Sequence, residues 1–379
     1  SSLSPHHPAT MASYAEFDPS SNPDSSKERP AVGGTASAVS CVVNLTNTIL
    51  GSGMLGLPYA FSKAGSLTGT ILLVMAAGFS SNGLRLLSLS AQRAGISPSK
   101  PSSFYSVAAA AYPPSTTLID GAVAFKCFGV ATGYLITVGD CMVDAMEYML
   151  GSSSKSILTQ RQFWVVLGSA CVASLSFFRT LDALKYTSAV SVVFVLAMSV
   201  VIVLYATGAD GLDPCADFEP EDGADVCKGE VNAVTSFGST MSNLAVFVFS
   251  FTCHQNIFSV CNEISNRTQA KVDSVIFLSI GTALALYLAV AWSGLLTFGD
   301  SLQSDILLNY PQSALVTTMR VFVALLVLFS YPLQLDPSRR CITTLIKKLK
   351  GDVDEADAGG LADAKESETD ASINSKTPL

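Results

Sequence analysis

Long apolar runs separated by short polar segments make up the chain from residue 36 to residue 335. A helix needs about 20 mostly apolar residues to cross the hydrocarbon core of a bilayer, and eight segments meet or approach that length. The pattern therefore predicts an all-α membrane protein that crosses the bilayer many times. The predicted spans are residues 36–60, 67–90, 119–149, 163–178, 186–207, 233–260, 274–298 and 316–335.

The first and the sixth span are interrupted near their middle. The uncharged run 30–62 contains Gly51-Ser52-Gly53 and then Pro58, residues that weaken a helix. The uncharged run 231–262 has 32 residues, and a straight helix of that length would extend roughly 48 Å across a core of roughly 30 Å. Its middle is the polar stretch 249–256, which cannot face lipid. Interrupted spans in corresponding positions of two halves indicate an inverted-repeat transporter with its site near the bilayer midplane.

The two interruptions predict a binding site for a zwitterion. A broken helix leaves unpaired N–H groups where its second half begins and unpaired C=O groups where its first half ends. The N–H groups suit a carboxylate and the C=O groups suit an ammonium, so a small amino acid fits better than a sugar or a simple ion. The alternative is that Gly-Ser-Gly only serves close helix packing. The predicted substrate-binding residues are Gly51, Ser52, Gly53, Met54, Leu55, Phe249, Ser250, Thr252 and Cys253.

The composition agrees with a membrane protein and argues against a soluble one. Apolar residues make up 49% of the chain and charged residues 14%, and the mean hydropathy is +0.43. The net charge of -8 comes mainly from acids in residues 210–230 and 352–370, so nucleic acid is not an expected partner. Expected partners are a small-molecule amino acid and membrane lipid, and the oligomeric state is left open. No cofactor is expected beyond a coupling ion, Na⁺ or H⁺.

The charged residues also predict domains and orientation. Residues 1–35 are expected to form a disordered cytosolic tail, residues 36–345 the transmembrane domain, and residues 346–379 an acidic, low-complexity cytosolic segment. With the N-terminus in the cytosol, the inside segments hold 13 Lys and Arg residues and the outside segments hold 5. This excess favours a cytosolic N-terminus.

Four polar residues within the spans each allow two interpretations. Asn47 either ligates a cation or bonds a neighbouring helix, and Ser330 either ligates a cation or bonds its own backbone beside Pro332. Asp140 either carries a proton or lies hydrated near the outer surface. His254 is either a proton-sensitive group or a polar plug, with the plug favoured. We also expect Lys126 to extend toward the cytosolic interface.

The polar loop 208–230 contains two cysteines, Cys215 and Cys227. The predicted orientation places this loop outside the cytosol, where disulfides persist. The alternatives are a disulfide, which the compartment favours, and two free thiols.

Five segments, in order along the chain, carry a resemblance to a known family: NLTNTILGSGMLGLPYAFSKAG, GYLITVGD, FVFSFTCHQNIFSVCNEI, LLTFGDSLQSDILLNYP and FSYPLQLDPSRR. Together they resemble the amino acid/auxin permease family, in the branch of the sodium-coupled neutral and the vacuolar amino acid transporters. The resemblance covers Ala36 to Leu345. It implies the leucine-transporter-type fold, a cation held between Asn47 and Ser330, and a disulfide between Cys215 and Cys227.

The resemblance also implies the activity, which is secondary active transport of small neutral amino acids by alternating access, coupled to sodium or protons. No covalent bond is made or broken, so the protein is not expected to be an enzyme. A non-transporting amino-acid sensor or regulatory membrane protein is the alternative. The expected location is the vacuolar, lysosomal or plasma membrane. Family members continue to eleven spans, so we expect either a truncated gene model or a shortened protein that lacks the last three.

Overall fold

A computed structural model describes residues 34–51, 53–94, 101–151, 156–175, 185–215 and 227–350. Most of the predicted N-terminal tail and of the acidic C-terminal segment lies outside these residues. The described chain is almost entirely helical. Its α-helices are α1 (Ala38–Ile49), α2 (Gly53–Ala64), α3 (Ser66–Arg93), α4 (Phe104–Ala111), α5 (Thr116–Leu150), α6 (Arg161–Leu175), α7 (Lys185–Thr207), α8 (Phe237–Ser250), α9 (Ile257–Glu263), α10 (Gln269–Phe298) and α11 (Ala314–Lys350).

The helices confirm an all-α, multi-pass membrane protein. The number of spans agrees less closely with the eight predicted. Six segments are long and apolar enough to cross a membrane, and the α1 and α2 pair makes up to seven. These correspond to seven of the eight predicted spans. The remaining one falls on α6, whose described part has 15 residues, fewer than the about 20 that cross a bilayer. The predicted end of that span, residues 176–178, lies outside the described residues.

The first predicted break lies between α1 and α2. The Ser37 side chain caps the start of α1 by accepting from the Ser40 amide at 3.1 Å. At the other end the Gly51 amide donates to Ile49 O at 2.9 Å, which turns the chain out of the helical path. The axes of α1 and α2 differ by 54°. Ser52, at the centre of the break, lies outside the described residues.

The second break lies between α8 and α9. Helix α8 ends at Ser250, and Phe251 leaves the helical conformation with φ -101° and ψ 17°. A short 3₁₀ turn, His254–Asn256, then leads into α9. Both interrupted spans predicted from the sequence are therefore interrupted in the structure.

The helices form two packed groups with a boundary between them. Helices α2, α3, α8 and α10 contact one another in one group, and α5, α6 and α11 contact one another in the other. Helix α1 packs against α10 and also touches α11, while α7 contacts both α10 and α11. The two breaks lie in the first group and face the second across this boundary.

Backbone hydrogen bonds tie together the ends of the two broken spans that are remote from the breaks. The Ala36 amide donates to Glu263 O, and the Ser265 amide donates to Ala36 O, both at 2.9 Å. The pair Ala36 and Ile264 forms an isolated parallel bridge, and the described residues contain no β-strand beyond such a bridge. The start of α1 and the end of α9 are therefore held at the same end of the first group.

Three details differ from the predictions or extend them. The short helix α4, with a capping box between Ser103 and Ser106, was not predicted. Helix α11 continues to Lys350, past residue 345, and the predicted domain boundary at that residue stays a prediction. Cys215 and Cys227 lie as a bonded pair with their Cα atoms 5.8 Å apart, within the usual range for a disulfide. The formation of that disulfide in the folded protein stays a prediction.

Candidate functional site

One cavity of about 280 Å³ lies between the two breaks. Residues of both breaks line it, α5 forms the opposite wall, and α10 and α11 contribute one side chain each. Its size is close to the lower end of the roughly 300–1,000 Å³ typical of small-molecule pockets. The lining residues are Thr48, Ile49, Gly51, Gly53, Phe125, Lys126, Gly129, Val130, Gly133, Tyr134, Phe249, Ser250, Thr252, Tyr287 and Gln334.

The hydroxyl of Tyr287 joins the carbonyl ends of the two broken helices. It lies 2.6 Å from Ile49 O, at the end of α1, and 3.1 Å from Ser250 O, at the end of α8. The side chain is fully buried. Because one hydroxyl has a single proton to donate, the two carbonyls share it. Ile49 O also accepts from the Gly51 amide, so the unused acceptor capacity lies mainly on Ser250 O. Helix C-termini carry partial negative charge, so this end of the cavity favours a positively charged group.

The start of α2 also borders the cavity, and the break before it has no room for a side chain at Gly51. A Cβ atom at Gly51 would lie 2.7 Å from the Tyr134 hydroxyl, which occupies the space where a side chain would be. A Cβ at Gly53 would meet no atom within 4 Å, because it would project into open space. Gly53 also lines the cavity at the first turn of α2, where helix N–H groups attract an anion.

The predicted substrate-binding residues divide into two sets in the structure. Gly51, Gly53, Phe249, Ser250 and Thr252 line the cavity, and Ser52 lies outside the described residues. Met54, Leu55 and Cys253 are buried and do not line it.

The Met54 amide, one of the donors predicted for a carboxylate, already has a hydrogen-bond partner in the structure. This amide donates to Gly51 O at 3.2 Å. The chain turns back on itself at the break, so the carbonyl of Gly51 already occupies this donor. A carboxylate at the start of α2 would have to compete with that bond.

The two predicted ion ligands meet in the structure. The Ser330 hydroxyl lies 2.8 Å from Asn47 Oδ1 and also 2.8 Å from Leu326 O, one turn earlier in α11. Neither Asn47 nor Ser330 is exposed. The Asn47 amide nitrogen has no hydrogen-bond partner among the described residues, which is unusual for a buried polar group. Both interpretations from the sequence are compatible with this geometry, since each residue bonds the other and Ser330 also bonds its own backbone.

The two residues predicted as possible proton carriers do not line the cavity. Asp140 forms an ion pair with Arg161, with Nε 2.6 Å from Oδ1, and both side chains are about half exposed. This placement agrees with the hydrated alternative for Asp140. His254 lies on the side of the second break that faces α3, where its Nε2 atom would be 2.8 Å from a Cβ at Gly83.

Sequence analysis missed several side chains of the cavity. Tyr134, Tyr287 and Gln334 line it, and each lies in a long apolar helix. Hydropathy alone does not show which side of such a helix faces the cavity.

Lys126 also lines the cavity, with its Nζ 3.5 Å from Thr252 O. The expectation that Lys126 extends to the cytosolic interface is therefore wrong. A charged residue within a span points to a functional site by default, so the charge of Lys126 could have indicated its place in the cavity from the sequence.

Two glutamines separate this cavity from a smaller one. Gln255 in the 3₁₀ turn donates through Nε2 to Gln334 Oε1 at 3.0 Å, and both side chains are buried. Gln334 lines the central cavity, and Gln255 lines a cavity of about 60 Å³ that also contacts Asp120 and Arg340. The pair closes the central cavity toward the end of the molecule that carries the basic end of α11.

The two broken helices, the cavity between them and the two packed groups define a polytopic membrane protein of the leucine-transporter-type fold. The solved structure of MhsT in complex with L-phenylalanine is similar to this chain, with a TM-score of 0.51, 14% sequence identity, and coverage of 83% of this chain and 78% of MhsT. The family model for transmembrane amino acid transporter proteins matches residues 34–376. The chain belongs to this family, whose members are transporters and not enzymes.

Curated relatives agree with the family. Vacuolar amino acid transporter 5 of Schizosaccharomyces pombe is 39% identical over 319 residues, which cover 83% of this chain and 71% of the relative. Vacuolar amino acid transporter 6 of Saccharomyces cerevisiae is 31% identical, covering 82% and 67%. Sodium-coupled neutral amino acid transporter 7 of Bos taurus is 29% identical, covering 86% and 69%. The chain thus spans about two thirds of the length of these relatives.

Replacing Tyr287 with Phe should destabilise the site. The change leaves the carbonyls of Ile49 and Ser250 without their shared donor, at a cost of about 1–3 kcal/mol. We expect a lower thermal unfolding temperature in lipid nanodiscs.

The matched control is Tyr310→Phe. Tyr310 is also buried, but its hydroxyl has no hydrogen-bond partner among the described residues. Removing that hydroxyl should leave the unfolding temperature unchanged or raise it. Equal losses in the two variants would show that the Tyr287 hydroxyl does not hold the breaks together.

Proposed function

We propose that this protein moves small neutral amino acids across a membrane by secondary active transport. The observation that supports the proposal best is the cavity between the two breaks. At one end the carbonyls of Ile49 and Ser250 converge on Tyr287, which suits an ammonium group. The first turn of α2 also borders the cavity and is open at Gly53, which suits a carboxylate.

The packing supports alternating access. The two breaks lie in the group α2, α3, α8 and α10, and the wall opposite them comes from α5 in the second group. Rocking one group against the other would open the cavity first to one side and then to the other. In this proposal the hydrogen bond between Gln255 and Gln334 breaks when the cavity opens toward the end marked by Lys347 and Lys350.

Asn47 and Ser330 are the proposed ligands of a coupling cation. Their oxygens are neutral, buried and 2.8 Å apart, and they connect α1, which packs against α10 of the first group, with α11 of the second. A cation held there would couple its own binding to the closure of the two groups. The coupling ion is sodium in this proposal, with a proton as the alternative.

The names of the relatives support a membrane and a substrate class. The vacuolar transporters of two yeasts are similar over four fifths or more of this chain, and we place the protein in a vacuolar membrane. The sodium-coupled relative is named for neutral amino acids, and this name supports the substrate class in the proposal.

Flux measurements on the full chain in proteoliposomes test the transport proposal. Tritiated L-alanine, L-serine and L-glutamine should each be tried, and uptake of at least one should saturate with concentration. Gly53→Val should abolish that uptake and the equilibrium binding, because the added side chain fills the open space at the start of α2.

Gly78→Val is the matched control. Gly78 lies in α3, outside the cavity lining, and a Cβ there also meets no atom within 4 Å. It should transport like the wild type. Binding without flux in the wild type would favour a sensor, and unchanged affinity in Gly53→Val would contradict the proposed carboxylate site.

Asn47→Ala should weaken the dependence of uptake on sodium. The loss of one buried ligand of about 1–1.5 kcal/mol raises the sodium concentration for half-maximal uptake by about tenfold. Asn243→Ala is the control, because Asn243 lies outside the proposed ion site and its side chain donates within α8, to Ser239 O at 2.9 Å. A wild-type sodium titration in Asn47→Ala would refute the role of this residue. Uptake driven equally well by a proton gradient without sodium would assign the coupling to protons.

A further inference from the structure

Lys126 places an ammonium group inside the proposed substrate site. Its Nζ lies 3.5 Å from Thr252 O, just beyond the end of α8, and 5.8 Å from the centroid of the Phe249 ring. Lys126, Thr252 and Phe249 all line the central cavity. The chain's own cation thus contacts a carbonyl two residues from Ser250 O, which the proposed function gives to the substrate's ammonium.

No acidic group in the described residues compensates this charge. None of the cavity-lining residues is a carboxylic acid, and the ion pairs of the described residues do not include Lys126. The titratable groups that face it are thiols, phenols and an imidazole. They are Cys127 on α5, Cys253 and His254 after the second break, and the cavity phenols Tyr134 and Tyr287. An ammonium in a membrane interior without a counter-charge depends on the few dipoles that reach it.

The carbonyl dipoles that attract Lys126 are the same ones that would bind the ammonium of a substrate. The α-ammonium of an amino acid and the ammonium of Lys126 are the same chemical group, and both are attracted by the carbonyls at the end of α8. Two like charges side by side in a poorly screened cavity repel each other. A lysine, in contrast to an arginine, can resolve this conflict by losing its proton.

We propose that Lys126 competes with the substrate for the carbonyl end of α8, so that binding of an amino acid releases one proton from Lys126. In this step an Nζ–H bond breaks, the proton passes to water in the cavity, and the neutral amine leaves Thr252 O to the substrate's ammonium. When the substrate leaves, the amine takes up a proton again and returns to the carbonyl. The inference rests on the proposed function and deepens it, since it names the group through which substrate and protons are linked.

The test is equilibrium binding of tritiated L-alanine, L-serine and L-glutamine to the full chain in nanodiscs, from about pH 5 to about pH 9. In the wild type the Kd should fall as the pH rises, by up to about tenfold per pH unit, because one proton is released on binding. Lys126→Met should bind tightly at every pH. Lys126→Arg should bind weakly at every pH, since a guanidinium keeps its proton throughout this range.

Further variants separate this role from a structural one. Lys126→Gln is neutral and keeps a donor for Thr252 O, so it should behave like Lys126→Met if the missing charge is the cause. His254→Gln should keep the wild-type pH dependence, because the linked proton lies on Lys126. Size-exclusion profiles show which variants fold.

Three results would overturn the inference. The first is weaker binding with an unchanged pH slope in both Lys126→Met and Lys126→Arg, which indicates a structural tether. The second is a flat pH profile in His254→Gln with a normal slope in the Lys126 variants, and the third is pH-independent binding in the wild type. Absence of binding in the wild type at every pH would instead overturn the proposed function, and the inference with it.

Discussion

The hydrogen bonds of the Tyr287 hydroxyl are the interaction on which the rest of the site depends. Two helices that end inside a membrane leave carbonyl groups that lipid cannot satisfy. Here one buried hydroxyl from α10 reaches the last turn of both, at Ile49 O and Ser250 O. It fixes the two ends beside each other, and because it donates only one proton, Ser250 O keeps acceptor capacity. The protein thus obtains a concentrated negative potential in a region where an acidic side chain would be expensive to bury.

This arrangement explains why so few charged residues are needed around the cavity. The second group of helices forms one wall of the cavity through α5. Its helix α11 carries the side chains that bond the broken spans when the two groups are together. Ser330 meets Asn47 at 2.8 Å, and Gln334 meets Gln255 at 3.0 Å, so α11 contacts both broken spans. Each contact is a neutral hydrogen bond across the boundary between the groups. Such bonds contribute little net free energy each, which suits surfaces that have to separate and meet again in every transport cycle.

The breaks could be predicted from the sequence because helix-breaking and polar residues are rarely tolerated where a span faces lipid. Cavity residues that lie within regular helices have no such signal and were missed. Glycines and polar residues in the middle of an uncharged run have few explanations in a membrane, so Gly53 and Thr252 could be assigned to one site. Tyr287 and Gln334 lie in α10 and α11, helices of 30 and 37 residues, and the packing of these helices decides which side chains face the cavity. Lys126 was expected at the cytosolic interface and lies in the cavity instead. Its neighbours on α5 do not show that Thr252 O lies within hydrogen-bonding distance. Asp140 was uncertain for the same reason, since its partner Arg161 belongs to another helix.

The central claim is that the cavity between the two breaks binds an amino acid with its carboxylate toward the start of α2 and its ammonium toward the end of α8. An experimental structure of the full chain in nanodiscs, determined with and without a saturating amino acid, tests this most directly. The account predicts added density between Gly53 and Thr252, together with displacement of the Lys126 side chain from Thr252 O. Added density elsewhere, with the cavity and Lys126 unchanged, would contradict it.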